Sequence, residues 1–294
     1  DLLRIIGQGV ERKQAREEIL RLASFPSLLP SPVIELDAAG QVTYINPAAE
    51  KLFPGLPAMG QSHPLLHGAA ALFAALRRGE RQDEESQEAR IGDATYELHI
   101  SYVPDIKLIR IYVVDITRRK QAEQEIYQLA TTDSLTGIAN RRAFSAVLAK
   151  ELERARRYGV PLALVMYDLD HFKHVNATHG HDVGDAVLQA VTGLVRNNIR
   201  AHDVLARWGG EEFMLLMPQT DAPAAGRAAE KLRLAIAAHA FDKIGKLTVS
   251  FGVAAFEPRD DQTSLLKRAD DALYRAKAQG RNRVEVLAGE ALAK

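Results

Sequence analysis

Two strand-like runs meet at Gly209-Gly210, and no other point in this chain so limits how it can fold. Adjacent glycines carry no Cβ and admit the positive φ of a type I′ or II′ turn, so the chain reverses there and the flanking strands become antiparallel neighbours. A third run, Leu162-Ala-Leu-Val-Met-Tyr-Asp168, is apolar with an acidic end and reads as a strand of the same sheet. Helices are predicted over Arg141–Tyr158, over Asp182–Ile199 with Val183, Val187, Val191 and Leu194 as its apolar stripe, over Ala222–Ala238 and over Ser264–Gln279. LTVSFGVAAF reads as a strand before the last of them. The order strand–helix–strand–strand–helix–strand predicts a ferredoxin-like arrangement for the second half.

The first half carries another pattern. Residues 1–25 are helical in composition, with Leu3, Ile6, Val10 and Leu20 forming a seam that Lys13, Glu17 and Ser24 interrupt. Phe25-Pro26 and Pro30-Ser31-Pro32 break that helix. PVIELD then runs into the turn Asp37-Ala38-Ala39-Gly40, QVTYI follows, and Asn46 is placed to cap a helix with Pro47 at its first position. TYELHISYV and IKLIRIYVV, joined at Pro104-Asp105, complete a small sheet with helices between its strands. From Arg118 to about Ala130 the chain is charged and helical, with Ala122, Ile126 and Leu129 as a short stripe. It suits either an amphipathic helix lying on a domain or a paired linker that carries a signal.

A length of 294 residues suggests about two domains. Lys+Arg 38 against Asp+Glu 38 leaves no excess positive charge for a general nucleic-acid or membrane-surface binder. Cys 0 excludes a disulfide scaffold, a thiolate metal site and a thiol nucleophile, and fits a reducing cytoplasm, where the protein is expected. No apolar run approaches the roughly 18–20 residues of a membrane span. The chain opens on Asp1 rather than Met and reads as a fragment of something longer.

If the strands pair as predicted, Asp168 comes to the same sheet edge as Glu211 or Glu212. Carboxylates converging at a strand end favour a hard cation such as Mg²⁺, and a turn without side chains lets a triphosphate approach the backbone. In isolation, the same residues suit a plain hairpin with a solvated acidic tip.

They are not isolated. GGEEF arises by chance roughly once in a million positions at average residue usage. It resembles the signature of the GGDEF family, the diguanylate cyclases, in its Glu-for-Asp form. Asp133-Ser-Leu-Thr-Gly-Ile-Ala-Asn-Arg-Arg142 resembles the family's DxLTGLxNRR, and Asp168-Leu-Asp-His-Phe-Lys-His-Val-Asn176 its DxDxFKxxN. Gly180-His-Asp-Val-Gly-Asp185 resembles GHxxGD, and Ala276-Lys-Ala-Gln-Gly-Arg-Asn-Arg283 resembles AKxxGRN. The resemblance implies Mg²⁺, with Mn²⁺ as a substitute, held by Asp168, the Leu169 carbonyl and Glu211. It implies Glu212 at a second metal or at the attacking hydroxyl, and Lys173 offsetting phosphate charge. Asn176 and Asp185 would read guanine, with His181 packed near the nucleotide. Lys277 and Arg281, four apart, would share one face of a helix end and hold the terminal phosphates. A carboxylate at Asp185 suits guanine N1–H and N2–H₂, a donor pair that adenine lacks.

The implied reaction condenses two GTP into cyclic di-GMP and two pyrophosphates. Each domain would hold one GTP, so the catalytic unit would be a two-fold homodimer. Arg200-Ala-His-Asp203 resembles the family's inhibitory product site, with a local helix-end ion pair as the plain alternative. Ala177, His179, Ile138 and Ala139 depart from the family pattern without removing a metal or phosphate ligand, so an active catalyst is expected. A degenerate domain that only binds nucleotide and an enzyme making adenine-containing cyclic dinucleotides are the rival readings. The intact acids and bases speak against the first and Asp185 against the second.

Residues 26–117 resemble a PAS domain through Asp37-Ala-Ala-Gly-Gln-Val-Thr-Tyr-Ile-Asn-Pro-Ala-Ala-Glu50 and the closing Val114-Asp115-Ile116-Thr117. The expected architecture is therefore α+β. It comprises a signalling helix (1–25), a PAS-type sheet-and-helix sensor (26–117), a linker helix (118–132) and a ferredoxin-like, palm-type cyclase domain (133–294). Cys 0 excludes a flavin–thiol photosensor. His63, His67 and His99 invite a haem, but a small organic ligand or none is favoured, and the sequence does not name the sensor's ligand.

Overall fold

The computed structural model describes residues 27–37, 39–67, 69, 73–75, 78 and 85–287. The helix expected over residues 1–25 lies outside them. The chain divides into two compact units, Asp1–Gln124 and Glu125–Lys294.

The first unit is built on β1 (Val33–Leu36), β2 (Val42–Ile45), β3 (Glu85–Ile91), β4 (Ala94–Val103) and β5 (Leu108–Asp115). All pairs are antiparallel, in the order β2-β1-β5-β4-β3. Between β2 and β3 lie α1 (Pro47–Leu52) and α2 (Leu56–Met59). Asn46 caps α1 as expected: its Oδ1 accepts from the Ala49 N–H at 2.9 Å and from the Val33 N–H at 3.0 Å. Its amide donates to the Ser31 carbonyl at 2.9 Å, so one buried side chain ties the helix start to β1. Ile34, Leu36, Leu98, Ile100, Ile109 and Ile111 pack with Phe53, Leu56 and Phe73 in the core. Each such side chain is worth roughly 1.5–3 kcal/mol when removed from water. β3 escapes the sequence reading because it is a polar edge strand in which Ala89 alone is buried. An edge strand needs no apolar run.

The helix α3 (Thr117–Thr131) crosses the division between the units. None of its side chains is buried, and Ile126, Tyr127 and Leu129 are 65%, 69% and 76% exposed. The apolar stripe is therefore open to solvent rather than laid on a core.

The second unit contains β6 (Ala139–Asn140), α4 (Arg141–Tyr158), β7 (Leu162–Leu169), α5 (Phe172–His179) and α6 (His181–Arg196). It continues with β8 (Val204–Gly209), β9 (Glu212–Pro218), α7 (Ala222–Ala238), β10 (Val249–Ala255), α8 (Gln262–Ala278) and β11 (Val284–Leu287). The sheet order is β11-β10-β7-β9-β8-β6. Its inner strands β10-β7-β9-β8 are antiparallel and have the ferredoxin-like order expected. β6 and β11 add parallel edges and are too short to leave a period in the sequence.

Every residue of β7 is buried, so it reads as a continuous apolar run without alternation. On one face of the sheet Val165, Tyr167, Phe213, Leu215 and Phe251 pack with residues of α6 and α7. On the other, Leu164, Met166, Met214 and Leu216 pack with residues of α4 and α8. Side chains alternate along a strand, so Asp168 continues the row of Leu164 and Met166 while Glu212 begins that of Met214 and Leu216. Two apolar rows thus end in acid at the same edge.

Candidate functional site

Gly209 pairs with Glu212, leaving Gly210-Glu211 as a two-residue turn. Gly210 has φ +47°, whereas Glu211 stays out of the positive region, so only one of the two glycines is needed for its φ. The register slips between Arg207 and Gly209, which makes Trp208 a bulge residue. The Arg207 side chain wraps the turn. Its Nε and Nη2 donate to the Gly210 carbonyl at 2.9 and 2.8 Å, and its Nη1 donates to the Asp133 carboxylate at 3.2 and 3.3 Å. Burial pushes the Asp133 carboxyl up, but hydrogen bonds from Thr136 and the Arg207 charge outweigh it and hold it below its ordinary range. Asp133 opens a motif quoted above and Arg207 stands two residues before GGEEF, yet nothing in their spacing announces the pair.

Asp168 stands directly opposite Glu212, so two like charges share one face. Asp168 is 6% exposed; burial raises its pKa, while Lys277, with Nζ at 2.9 Å, pulls the other way. Burial and then the Asp168 charge raise both Glu211 and Glu212. The Leu169 N–H donates to the Glu211 carbonyl at 3.4 Å, tying the turn to the end of β7. Asp168, Leu169, Lys173, Glu211, Lys277 and Arg281 all line one cavity of about 340 Å³.

No group of three or more His, Cys, Asp or Glu side chains able to hold a metal is found among the described residues. Asp168, Glu211 and a main-chain carbonyl nevertheless fit Mg²⁺, which binds through one or two carboxylates and fills its shell with water and phosphate oxygens. Burial leads in raising both carboxyls, and a bound cation would favour their charged forms. Glu212 does not line the cavity; Asp270 and Arg141 also act on it, and the Arg141 guanidinium lies 4.4 Å from the Trp208 ring centroid.

One expectation is corrected. Lys277 and Arg281 do not share a helix face, because α8 ends at Ala278. Arg281 reaches the cavity from a loop in which Gly280, Arg281 and Asn282 have φ of +112°, +62° and +46°.

Asn176, His181 and Asp185 sit on α5 and α6 and do not line this cavity. The Asn176 Oδ1 is buried without a hydrogen-bond partner among the described residues, and a Cβ at Gly184 would lie 1.9 Å from it. His181 and Asp185 are exposed. The second acid of the motif, Asp170, plays a part the sequence reading did not foresee. It is 3% exposed and accepts from the Thr248 hydroxyl and the Ser250 hydroxyl, each at 2.7 Å, and from the Asn282 N–H at 3.0 Å. Its spacing from Asp168 is the only signal.

Arg200 and Asp203 line a separate cavity of about 500 Å³, together with Gly137, Arg196 and Leu205. The Asp203 Oδ2 accepts from the Arg200 N–H at 2.9 Å, but the two side chains do not pair. The Asp203 Oδ1 is buried without a hydrogen-bond partner among the described residues, and the His202 Nε2 lies 3.9 Å from it. In the first unit, the buried His63 accepts from the Leu65 N–H through Nδ1 at 3.2 Å, and burial, then His67, lowers its pKa. His67 Nε2 lies 3.0 Å from the Ser62 carbonyl oxygen, and His99 belongs to β4. No described helix is long and apolar enough to cross a membrane.

Residues 130–283 match the family described as "Diguanylate cyclase, GGDEF domain". Diguanylate cyclase DgcP of Pseudomonas aeruginosa is 46% identical over 162 residues, which is 54% of this chain and 24% of that protein. Diguanylate cyclase DgcM of Escherichia coli K12 is 40% identical over 178 residues, 60% of this chain and 43% of its own length. The chain therefore spans less than half the length of these curated relatives. Among solved structures, the coiled coil and GGDEF domain of DgcB from Caulobacter crescentus, in complex with c-di-GMP, superposes with a TM-score of 0.56 at 32% identity. That likeness covers 58% of this chain and 93% of the other. The active GGEEF domain of a diguanylate cyclase from Vibrio cholerae gives a TM-score of 0.50 at 34% identity, over 51% of this chain and 98% of the other.

Proposed function

The chain belongs to the GGDEF family, and on that premise we propose that it is a diguanylate cyclase condensing two GTP into cyclic di-GMP and two pyrophosphates. The observation that carries this reading is the cavity at the end of β7, where two carboxylates face three cationic side chains, Lys173, Lys277 and Arg281.

Asp168, the Leu169 carbonyl and Glu211 hold Mg²⁺ or Mn²⁺, which when bound supplies positive charge against the phosphates. Lys277 and Arg281 bind the terminal phosphates and orient the α-phosphate for in-line attack. Lys173 balances charge that develops on the phosphoryl oxygens. Glu212 acts at the 3′-hydroxyl of the second GTP, where a carboxyl with a raised pKa is better suited to accept a proton. The 3′-oxygen bonds to the α-phosphorus as pyrophosphate departs. Asn176 and Asp185 read the guanine edge, with His181 beside the nucleotide. One domain holds one GTP, so the catalyst is a two-fold homodimer. Cyclic di-GMP returns to Arg200 and Asp203 as inhibitor, and the buried Asp203 Oδ1, which accepts no hydrogen bond among the described residues, suits a guanine donor. The first unit serves as a PAS-type sensor. Its support is the antiparallel order β2-β1-β5-β4-β3 with helices between β2 and β3.

Chromatography of the products from GTP and Mg²⁺ tests the reading: cyclic di-GMP and pyrophosphate are expected. GTP bound without turnover would favour the degenerate, binding-only domain. A cyclic product from ATP at a comparable rate would sink the guanine assignment.

A further inference from the structure

Arg281 presents its side chain to the cavity from a backbone that L-residues avoid, and two anchors outside the cavity hold it there. Gly280, Arg281 and Asn282 are three consecutive left-handed residues, and for the arginine that conformation is strained. The Arg281 N–H donates to the Ala276 carbonyl at 3.0 Å, which fixes the loop to the end of α8. Past Asn282, the Arg283 carbonyl accepts from the Phe251 N–H at 2.9 Å, which fixes it to β10. Asn282 itself is gripped from two sides. Its N–H donates to Asp170, whose carboxylate is already held by Thr248 and Ser250. Its side-chain Oδ1 accepts from the Arg233 Nη1 of α7 at 2.7 Å. Arg233 is in turn locked by a bidentate pair with Glu230, at 2.8 and 2.7 Å, and its side chain is 15% exposed. Arg233 lies in none of the motifs that mark the nucleotide site.

We infer that Arg233 is a positioning residue which, with Asp170 as the opposite anchor, holds Asn282 and thereby sets the grip of Arg281 on the terminal phosphates. This rests on the cyclase reading for the identity of the phosphate carrier. The grip itself requires only a polyphosphate. A bidentate, planar donor suits this task, since it fixes direction as well as distance.

The test is a double-mutant cycle on the full chain, read by calorimetric titration with inorganic tripolyphosphate and Mg²⁺ and by initial rates against GTP. Arg281→Met should weaken tripolyphosphate binding roughly tenfold, and Arg233→Met about three- to tenfold. In the Arg281→Met background, Arg233→Met should add less than about 1.5-fold, because its effect passes through the missing guanidinium. For Arg233→Met the KM for GTP should rise in step, with kcat altered less than about twofold. Asn282 is exposed and has positive φ, so Asn282→Gly removes the acceptor without opening the core or straining the backbone and should match Arg233→Met. Asn282→Asp keeps an acceptor and should recover most of the loss. Independent, multiplicative losses from Arg233→Met and Arg281→Met would overturn the inference, as would a fall in kcat with KM unchanged in Arg233→Met or an Asn282→Gly variant that binds like the parent. A parent that makes no product from GTP while the tripolyphosphate cycle is non-additive would sink the cyclase reading and leave this inference standing.

Discussion

Replacing Gly184 by alanine sets two effects against each other. A Cβ there would lie 1.9 Å from the Asn176 Oδ1, 3.0 Å from its Cγ and 3.2 Å from the Phe172 Cζ. An ordinary carbon–oxygen contact is about 3.3 Å, so the amide must swing away by about 1.4 Å. The Oδ1 has no hydrogen bond to lose, and the terminal torsion of an asparagine is soft. Phe172 has to give by only about a few tenths of an ångström. Against these small costs, alanine gains about 0.8–1.0 kcal/mol over glycine inside a helix. The variant should therefore fold with a stability within about 1 kcal/mol of the parent. Nucleotide binding should suffer instead. If Asn176 reads guanine, displacing it forfeits a neutral hydrogen bond worth about 0.5–1.5 kcal/mol, or a two- to twelvefold rise in KM for GTP. Initial rates against GTP, with urea midpoints measured alongside, separate the two effects. The double variant Asn176→Ala, Gly184→Ala should be no worse than Asn176→Ala alone. An unchanged KM with unchanged stability would refute the role given to Asn176. Loss of the fold would refute the claim that the clash is relieved locally.

Other outcomes follow from the same geometry. Glu212→Gln should abolish product formation yet stabilise the metal-free protein by roughly 0.2–1 kcal/mol, because it removes one of two like charges directly opposite each other; a lower urea midpoint would contradict this. Asp168, Glu211 and Glu212 all have raised folded pKa values, so their contribution to stability is present below their unfolded pKa values and is lost as pH rises through the folded ones. Added Mg²⁺ should consequently raise Tm more at about pH 7 than at about pH 4, and equal shifts would argue against a carboxylate site. Arg200→Ala should weaken inhibition by cyclic di-GMP about ten- to hundredfold with little change in initial rate; the same half-maximal concentration as the parent would leave Arg200 with a structural role only.

What sequence reveals here depends on how far apart the partners stand. The bounds of α4 and α7 coincide with the residues their periodicity marks out, because helix caps and stripes are local signals. The hairpin at Gly210 and the pairing of β7 with β9 follow from turn chemistry and apolar runs. β3 and β11 remain hidden because a polar edge or a four-residue strand carries no period. The supports of the site are hidden for another reason. Asp133 meets Arg207 across 74 residues and Asp170 meets Asn282 across 112, and no spacing rule spans such distances. The motif Gly280-Arg-Asn suggests a shared helix face with Lys277, but three left-handed residues in a row put Arg281 on a loop.

That last separation has a consequence for biosynthesis. The chain leaves the ribosome from its amino end, so β7, the Gly210 turn and β9 are all available for pairing while the residues from α8 onward are still unmade. At that stage the acidic edge could form, but the Asn282 N–H that completes the Asp170 cluster would be missing, and with it the loop that carries Arg281. A nascent or prematurely stopped chain would then hold its carboxylates without its phosphate grip until synthesis had passed Arg283, whose carbonyl fastens the loop to β10.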